Sequence, residues 1–217
     1  MDKTKDRPLS GTVGEVKTTF IDTLFTKNIV LVQAIGISPI LAAGVTLKNG
    51  VVLTLCTAAV LIPASLFMSL LGERLSVWVR APIYTVGAAA IMLAAAVFID
   101  RIISHELYAA LYVFLPLTAV NTLVSYRAGG FSMSQKPVVA LTDAVVSSLG
   151  FGLVICIVSG LREIAAYGTL WEKPLNFSVV LSEAALPYAA FLLLGFMAAF
   201  LQWLNSVIDK RRGGSEI

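Results

Sequence analysis

The sequence predicts an all-α membrane protein with six transmembrane helices in two inverted-topology repeats of three helices, the first helix of each repeat being broken. Of its 217 residues, 58% are hydrophobic and only 13% are charged, whereas a soluble domain carries about 25% charged residues. The apolar residues also fall into runs near the length of about 20 that a helix needs to cross a bilayer. The formal charge of +3 does not indicate nucleic-acid binding, because basic residues in membrane proteins mark cytoplasmic helix ends.

Six apolar runs define the predicted spans. They cover residues 28–47, 51–71, 81–100, 107–125, 137–160 and 184–204. The predicted domains are therefore a cytoplasmic N-terminal segment at 1–27, a membrane domain at 28–204 and a cytoplasmic C-terminal tail at 205–217. We expect the amphipathic stretch 161–183 to lie along the membrane interface.

The orientation follows from the distribution of Lys and Arg. With six spans, twelve of these residues fall on one side of the membrane and four on the other. Cytoplasmic loops carry the excess of basic residues. Both termini are therefore expected in the cytoplasm.

The first and fourth spans contain helix-breaking residues near their centres. The first has Gly36, Ser38 and Pro39 in "IGISPIL", and the fourth has Pro116 and Asn121 in "LPLTAVNTLVS". Proline removes a backbone donor, and interruptions at corresponding positions of two halves are typical of inverted repeats with a site near the midplane. The alternative is that Pro and Gly are simply tolerated in these helices, as they are in many membrane helices.

Charged residues and cysteines give further candidates. Asp143 lies a few residues into the fifth span and could belong to a proton or sodium path; alternatively, it lies near the cytoplasmic interface, where a carboxylate is less costly. Arg162 and Glu163 are expected to form a local ion pair. Cys56 and Cys156 each lie inside an apolar run and are interpreted as small buried hydrophobic residues.

Four stretches resemble one family, the RnfE/NqrD-type subunits of the Rnf and Nqr complexes. "NIVLVQAIGISPILA" is similar to the family pattern Asn-Pro-x-Leu-Val-Gln-x-Leu-Gly-x-Cys-Pro-x-Leu-Ala. "PLTAVNTLVSYRAGGFSMSQKP", "LGFGLVICIVSGLREIAAYGTLW" and "LPYAAFLLLGFMAAFLQW" resemble later parts of the family in the same order. The resemblance covers about residues 20–205, nearly the whole chain.

The resemblance implies a function within a multi-subunit membrane complex. Such a complex is a redox-driven sodium or proton pump in the cytoplasmic membrane of a bacterium or archaeon. The implied partners are a sister RnfA/NqrE-type subunit in inverted orientation, other membrane subunits and flavin-bearing subunits. In the family, each of the two sister subunits gives two cysteines to a 2Fe-2S cluster at their interface.

This chain departs from the family at both cluster positions, where it has Ser38 and Thr122. Hydroxyl groups are poor replacements for the thiolates that hold iron–sulfur clusters. We therefore expect the chain to supply no cluster or other metal ligand, to hold no complete active site, and to act as a scaffold and part of the transmembrane electron path. The alternative is a divergent paralogue that acts as a stand-alone transporter or as a structural subunit without electron transfer.

Overall fold

The computed structural model describes residues 28–71, 75–102, 108–109, 111–171, 173–175 and 181–213. The predicted N-terminal segment 1–27 lies outside these residues. The α-helices with defined bounds are α1 Ile29–Gln33, α2 Ile37–Ala42, α3 Leu47–Leu71, α4 Val77–Ile102, α5 Phe114–Leu117, α6 Thr122–Tyr126, α7 Pro137–Tyr167 and α8 Pro187–Gly213.

Short elements connect these helices. Among the described residues, 3-10 helices cover Thr118–Val120, Ser132–Ser134 and Ser182–Ala185, and a π-helix covers Arg127–Phe131. Two short antiparallel strands follow α7: β1 is Thr169–Leu170 and β2 is Lys173–Pro174.

Four of the described helices are long and apolar enough to cross a membrane. They contain Leu47–Leu71, Trp78–Phe98, Pro137–Tyr167 and Pro187–Val207, which correspond to the predicted spans 51–71, 81–100, 137–160 and 184–204. The prediction of a helical, multi-pass membrane protein is therefore confirmed at this level. The predicted first and fourth spans are represented by shorter helices, whose breaks are described below.

The last third of the chain differs from the prediction in two places. α7 continues to Tyr167, and β1 and β2 follow it, so residues 161–167 belong to a long helix and not to a separate segment; the interfacial location of the remaining residues stays a prediction. α8 continues to Gly213, past the predicted span end at residue 204. Hydropathy detects where an apolar run stops, but a helix can extend beyond the hydrocarbon into the aqueous phase.

The core lies between α3 and α7, which pack against each other over much of their length. Small residues permit this close approach, as in other membrane helix pairs: a Cβ added to Gly152 of α7 would overlap Thr54 Cγ2 of α3. By contrast, only 17% and 11% of the residues in the apolar windows of α4 and α8 are buried in the isolated chain. α3 and α7 therefore form the central layer against which the short broken segments pack.

Candidate functional site at two helix breaks

The first break lies between α1 and α2. Ala34, which caps α1, has a left-handed φ of 56°, and Gly36, which precedes α2, has a φ of 83°. Left-handed backbone favours glycine because it has no Cβ. Pro39, expected at the break, is instead the third residue of α2, where its missing N–H would have had no helical partner.

The second break is at Asn121, between the 3-10 helix Thr118–Val120 and α6. Asn121 has an extended ψ of 138°, and its side-chain oxygen accepts a hydrogen bond from the N–H of Leu123 at 3.2 Å. Asparagine is among the residues preferred at helix N-caps. Pro116, also expected to break the span, is the third residue of α5. In both segments the proline therefore lies in the first turn of a helix and not at the break.

The two breaks contact each other. The N–H of Gly36 donates to Thr122 Oγ1 at 2.9 Å, across 86 residues of sequence. A Cβ added to Gly36 would lie 3.2 Å from Leu123 Cβ, so the absence of a side chain allows this approach. We call this contact between the two breaks the junction.

Ser38 and Thr122 lie on the same side of the junction. Both border a cavity of about 230 Å³, together with Pro39, Ala42, Phe114, Leu117, Val120 and Asn121. Both residues are exposed on the isolated chain. The predicted site residues Ser38, Pro39, Asn121 and Thr122 thus share one cavity, and Gly36 contacts it through its hydrogen bond to Thr122.

Tyr84 of α4 also satisfies polar groups at the second break. Its hydroxyl donates to the carbonyl of Ala119 at 3.2 Å, and it lies 2.8 Å from Ser125 Oγ. Ala119 precedes the break and Ser125 follows it, so the tyrosine bridges the interruption. Tyr84 was not among the predicted site residues, although a buried tyrosine in an apolar helix requires a partner for its hydroxyl.

Both broken segments pack along α7, but they leave the junction in opposite directions. Gly36 lies beside Phe151, near the middle of α7, because a Cβ at Gly36 would be 3.5 Å from its ring. From there, α2 leads to Arg162, near the C-terminal end of α7. α6 and the π-helix instead lead from Thr122 toward Asp143, near the N-terminal end of α7.

The start of the first predicted span also differs in position. The Asn28 side-chain amide donates to the carbonyl of Gly150 at 3.0 Å, and its oxygen accepts from the N–H groups of Val30 and Leu31. Asn28 therefore lies beside the middle of α7, whereas the predicted span placed it at a membrane face. Hydropathy locates an apolar run along the sequence, but it does not give the level along the neighbouring helices at which the run begins.

Arg162 is fully buried and holds the C-terminal end of α2. Its guanidinium donates to the carbonyls of Ile40, Leu41 and Gly44 at 3.3, 3.3 and 2.7 Å. It also donates to the carbonyls of Ala184 and Ala185 at 3.1 and 2.6 Å. The last carbonyls of a helix have no helical partner, and a cation is favoured at this negative end of the helix dipole.

Glu163 caps the neighbouring helix from the other side of the same turn. Its carboxylate accepts from the N–H of Leu47, the first residue of α3, at 2.7 Å, and from the hydroxyl of Thr169 at 3.2 Å. An anion is favoured at a helix N-terminus. The expected ion pair between Arg162 and Glu163 is therefore wrong: each residue binds a different helix end, because adjacent helical residues point in different directions.

Asp143 forms an ion pair with Arg127. Arg127 Nη1 lies 2.8 Å from Asp143 Oδ1, and both side chains are largely buried. The guanidinium also lies 5.7 Å and 5.5 Å from the ring centroids of Tyr126 and Phe131, within the range of cation–π attraction. Asp143 thus ties the segment after the second break to α7.

The two cysteines are remote from the breaks in sequence. Cys56 is buried in α3 and Cys156 is partly buried in α7. Neither borders the cavity that Ser38 and Thr122 share. The donor atoms that the chain presents in this cavity are hydroxyl and amide groups, which do not fit an iron–sulfur cluster.

Fold and site together define the class of protein: a multi-pass helical membrane protein with two interrupted helices that meet within its core. Comparison with known proteins gives the particular family. A family model described as "Rnf-Nqr subunit, membrane protein" matches residues 16–198. The chain belongs to this family, and the resemblance seen in the sequence is confirmed.

Curated relatives of similar length agree with this assignment. The chain is 31% identical over 209 residues to a protein of Shewanella piezotolerans, covering 89% of this chain and 90% of the relative. It is 30% identical over 215 residues to a protein of Escherichia coli strain SMS-3-5, covering 92% and 93%. Both relatives are named as a subunit of an ion-translocating oxidoreductase complex.

Proposed function

We propose that this chain is a membrane subunit of an Rnf-type ion-translocating oxidoreductase complex, and that its junction forms part of the scaffold of the transmembrane electron path. Support comes from family membership over residues 16–198 and from relatives, named as subunits of such a complex, that align over most of both chains. The observation that carries the proposal is the junction itself, in which Gly36 donates to Thr122. Interrupted backbone at membrane depth is tolerated only where it is buried in protein or lines a cavity.

We further propose two inverted three-helix repeats with both termini in the cytoplasm. The opposite directions in which α2 and α6 leave the junction support the inversion. The excess of Lys and Arg on one side of the predicted spans supports the orientation. A sister subunit in inverted orientation would cover the exposed side of the junction, where Ser38 and Thr122 lie, and flavin-bearing subunits would complete the redox chain.

Within this complex, we propose that the chain supplies no ligand to a 2Fe-2S cluster. Thr122 Oγ1 already accepts the N–H of Gly36, and it lies 3.4 Å from Asn121 Oδ1. A neutral hydroxyl in two hydrogen bonds does not replace a thiolate on iron. The Arg127 ion pair favours an anchoring role for Asp143, so we do not place it on the ion path.

Two experiments separate these claims. Affinity purification of the tagged chain from its native membrane should recover other membrane subunits and a covalently or tightly bound flavin; recovery of the chain alone would contradict membership of a complex. Iron content and low-temperature electron paramagnetic resonance then test the ligand claim. A cluster signal that disappears after Thr122→Ala and Ser38→Ala would refute it, whereas a signal gained only after Ser38→Cys with Thr122→Cys would support both the junction and the loss of ligands.

A further inference from the structure

The buried Arg162 and the largely buried Asp143 lie near opposite ends of α7, and each binds a different broken segment. Arg162 binds the carbonyls at the end of α2, and Asp143 binds Arg127 at the end of α6. Their separation of 19 positions corresponds to about 28 Å along a helix, close to the roughly 30 Å thickness of the bilayer hydrocarbon. Each charge can therefore lie near one edge of the hydrocarbon, with the junction packed against Phe151 between them.

We propose that Arg162 and Asp143 are positioning residues. From the two ends of α7, they fix the positions of the two broken segments relative to each other at the junction. The segments themselves are short. α2 has six residues and α6 has five, and isolated helices of this length are unstable. Their positions must therefore be set by contacts with a longer helix.

The two anchors act by different chemistry. Among the described residues, the acceptors of Arg162 are all backbone carbonyls, so its planar guanidinium fixes both the position and the direction of the end of α2. A lysine would keep the charge but lose the five-donor fork. Asp143 instead accepts a hydrogen bond from the guanidinium of Arg127. The rings of Tyr126 and Phe131 restrict the orientation of this guanidinium.

Loss of Arg162 and loss of Asp143 are expected to displace different segments. Loss of Arg162 frees the end of α2 and leaves its carbonyls unsatisfied in a buried site. Loss of Asp143 leaves Arg127 as an unpaired, largely buried cation, which favours displacement of α6 toward water. In both cases the two segments would no longer face each other at a fixed distance.

The test measures this distance by cross-linking across the shared cavity. Ser38→Cys and Leu117→Cys place one thiol after the first break and one before the second, both bordering the same cavity, and they leave the Thr122 hydrogen bond intact. Cys56→Ala and Cys156→Ala remove the native thiols. Dibromobimane, which becomes fluorescent when it bridges two nearby thiols, is applied to membranes that contain the full-length chain with its co-expressed partner proteins.

Arg162→Met and Asp143→Leu should each reduce the rate of cross-linking by about tenfold or more, since a misplacement of about 1 Å between positioned groups can cost on the order of 100-fold in rate. Arg162→Lys should restore part of this loss. The matched control is Arg80→Met, which removes an arginine whose described hydrogen bond is to the carbonyl of Leu75, outside both broken segments. It should cross-link at the parental rate.

Unchanged cross-linking in Arg162→Met or Asp143→Leu would overturn the proposed positioning role of that residue. If Arg162→Met does not accumulate in the membrane, Arg162→Lys decides the role of Arg162: cross-linking slower than in the parent supports it, and cross-linking at the parental rate overturns it. Equal losses in Arg80→Met would attribute the effect to general destabilisation and would also overturn it. The readout lies within this chain, so it is independent of membership of the complex, which co-purification tests.

Discussion

Replacing Gly36 with alanine tests the geometry of the junction most directly. The residue has a φ of 83°, and a left-handed conformation costs an L-residue about 1–2 kcal/mol. The added Cβ would also lie 3.2 Å from Leu123 Cβ and 3.5 Å from Phe151 Cδ2. The first distance is shorter than an ordinary carbon–carbon contact, so the second break must shift, and overpacking of this kind costs about 1–3 kcal/mol.

We therefore expect Gly36→Ala to lower the free energy of unfolding by about 2–5 kcal/mol. The measurement is titration of the purified protein with sodium dodecyl sulfate in mixed micelles, followed by loss of helical circular dichroism. Gly195→Ala is the control, because a Cβ at Gly195 meets nothing within 4 Å and Gly195 lies inside α8.

Gly195→Ala should not reproduce the loss of stability expected for Gly36→Ala. In an exposed helix interior, alanine is favoured over glycine by about 0.8–1.0 kcal/mol, so Gly195→Ala should be neutral or stabilising. If Gly36→Ala proved as stable as the parent protein, the left-handed backbone and the close approach to Leu123 would both be refuted. A loss of equal size in both variants would point to a non-specific effect on the protein in micelles.

Four further outcomes are expected. Thr122→Val leaves the N–H of Gly36 without its acceptor and should cost about 1–3 kcal/mol in the same titration, whereas Thr122→Ser should retain most of the stability; equal losses would exclude the hydrogen bond as the cause. Asn28→Ala removes a helix cap and the bond to Gly150, at a cost of about 1–2 kcal/mol. Gly168→Ala places a side chain at the left-handed C-cap of α7, where φ is 63°, and should cost about 1 kcal/mol. A reporter enzyme that is active only in the cytoplasm should be active when fused to the C-terminus, and activity of a periplasm-specific reporter there would reverse the proposed orientation.

The long helices were predictable from the sequence because length and hydropathy are sufficient for them. α3 and α7 are 25 and 31 residues long, and their apolar runs exceed what a buried helix of a small soluble domain would need. The predicted fifth span ends at residue 160, before Arg162 and Glu163, whereas α7 continues to Tyr167. In the fold these charges are buried within the helix, and their partners lie on elements that the local sequence does not reveal.

The breaks were predictable as a pair, but not to the residue. Gly36 and Asn121 carry the conformations that interrupt the chain, and both were among the candidates. Pro39 and Pro116 were also candidates, yet each occupies the first turn of a helix, which tolerates proline. Ala34 adopts a left-handed φ with no sequence signal, because alanine normally favours a right-handed helix.

The contacts around the junction satisfy backbone groups that the two breaks expose. Each break exposes backbone groups that would cost several kcal/mol apiece if left unpaired in lipid. Thr122 accepts the N–H of Gly36, Tyr84 donates to the carbonyl of Ala119, and Arg162 binds the last carbonyls of α2. Because side chains of this protein make hydrogen bonds to these backbone groups, the breaks are stabilised by contacts within the chain. The hydroxyl at Thr122 then has a structural role of its own, as an acceptor that joins the two halves of the chain.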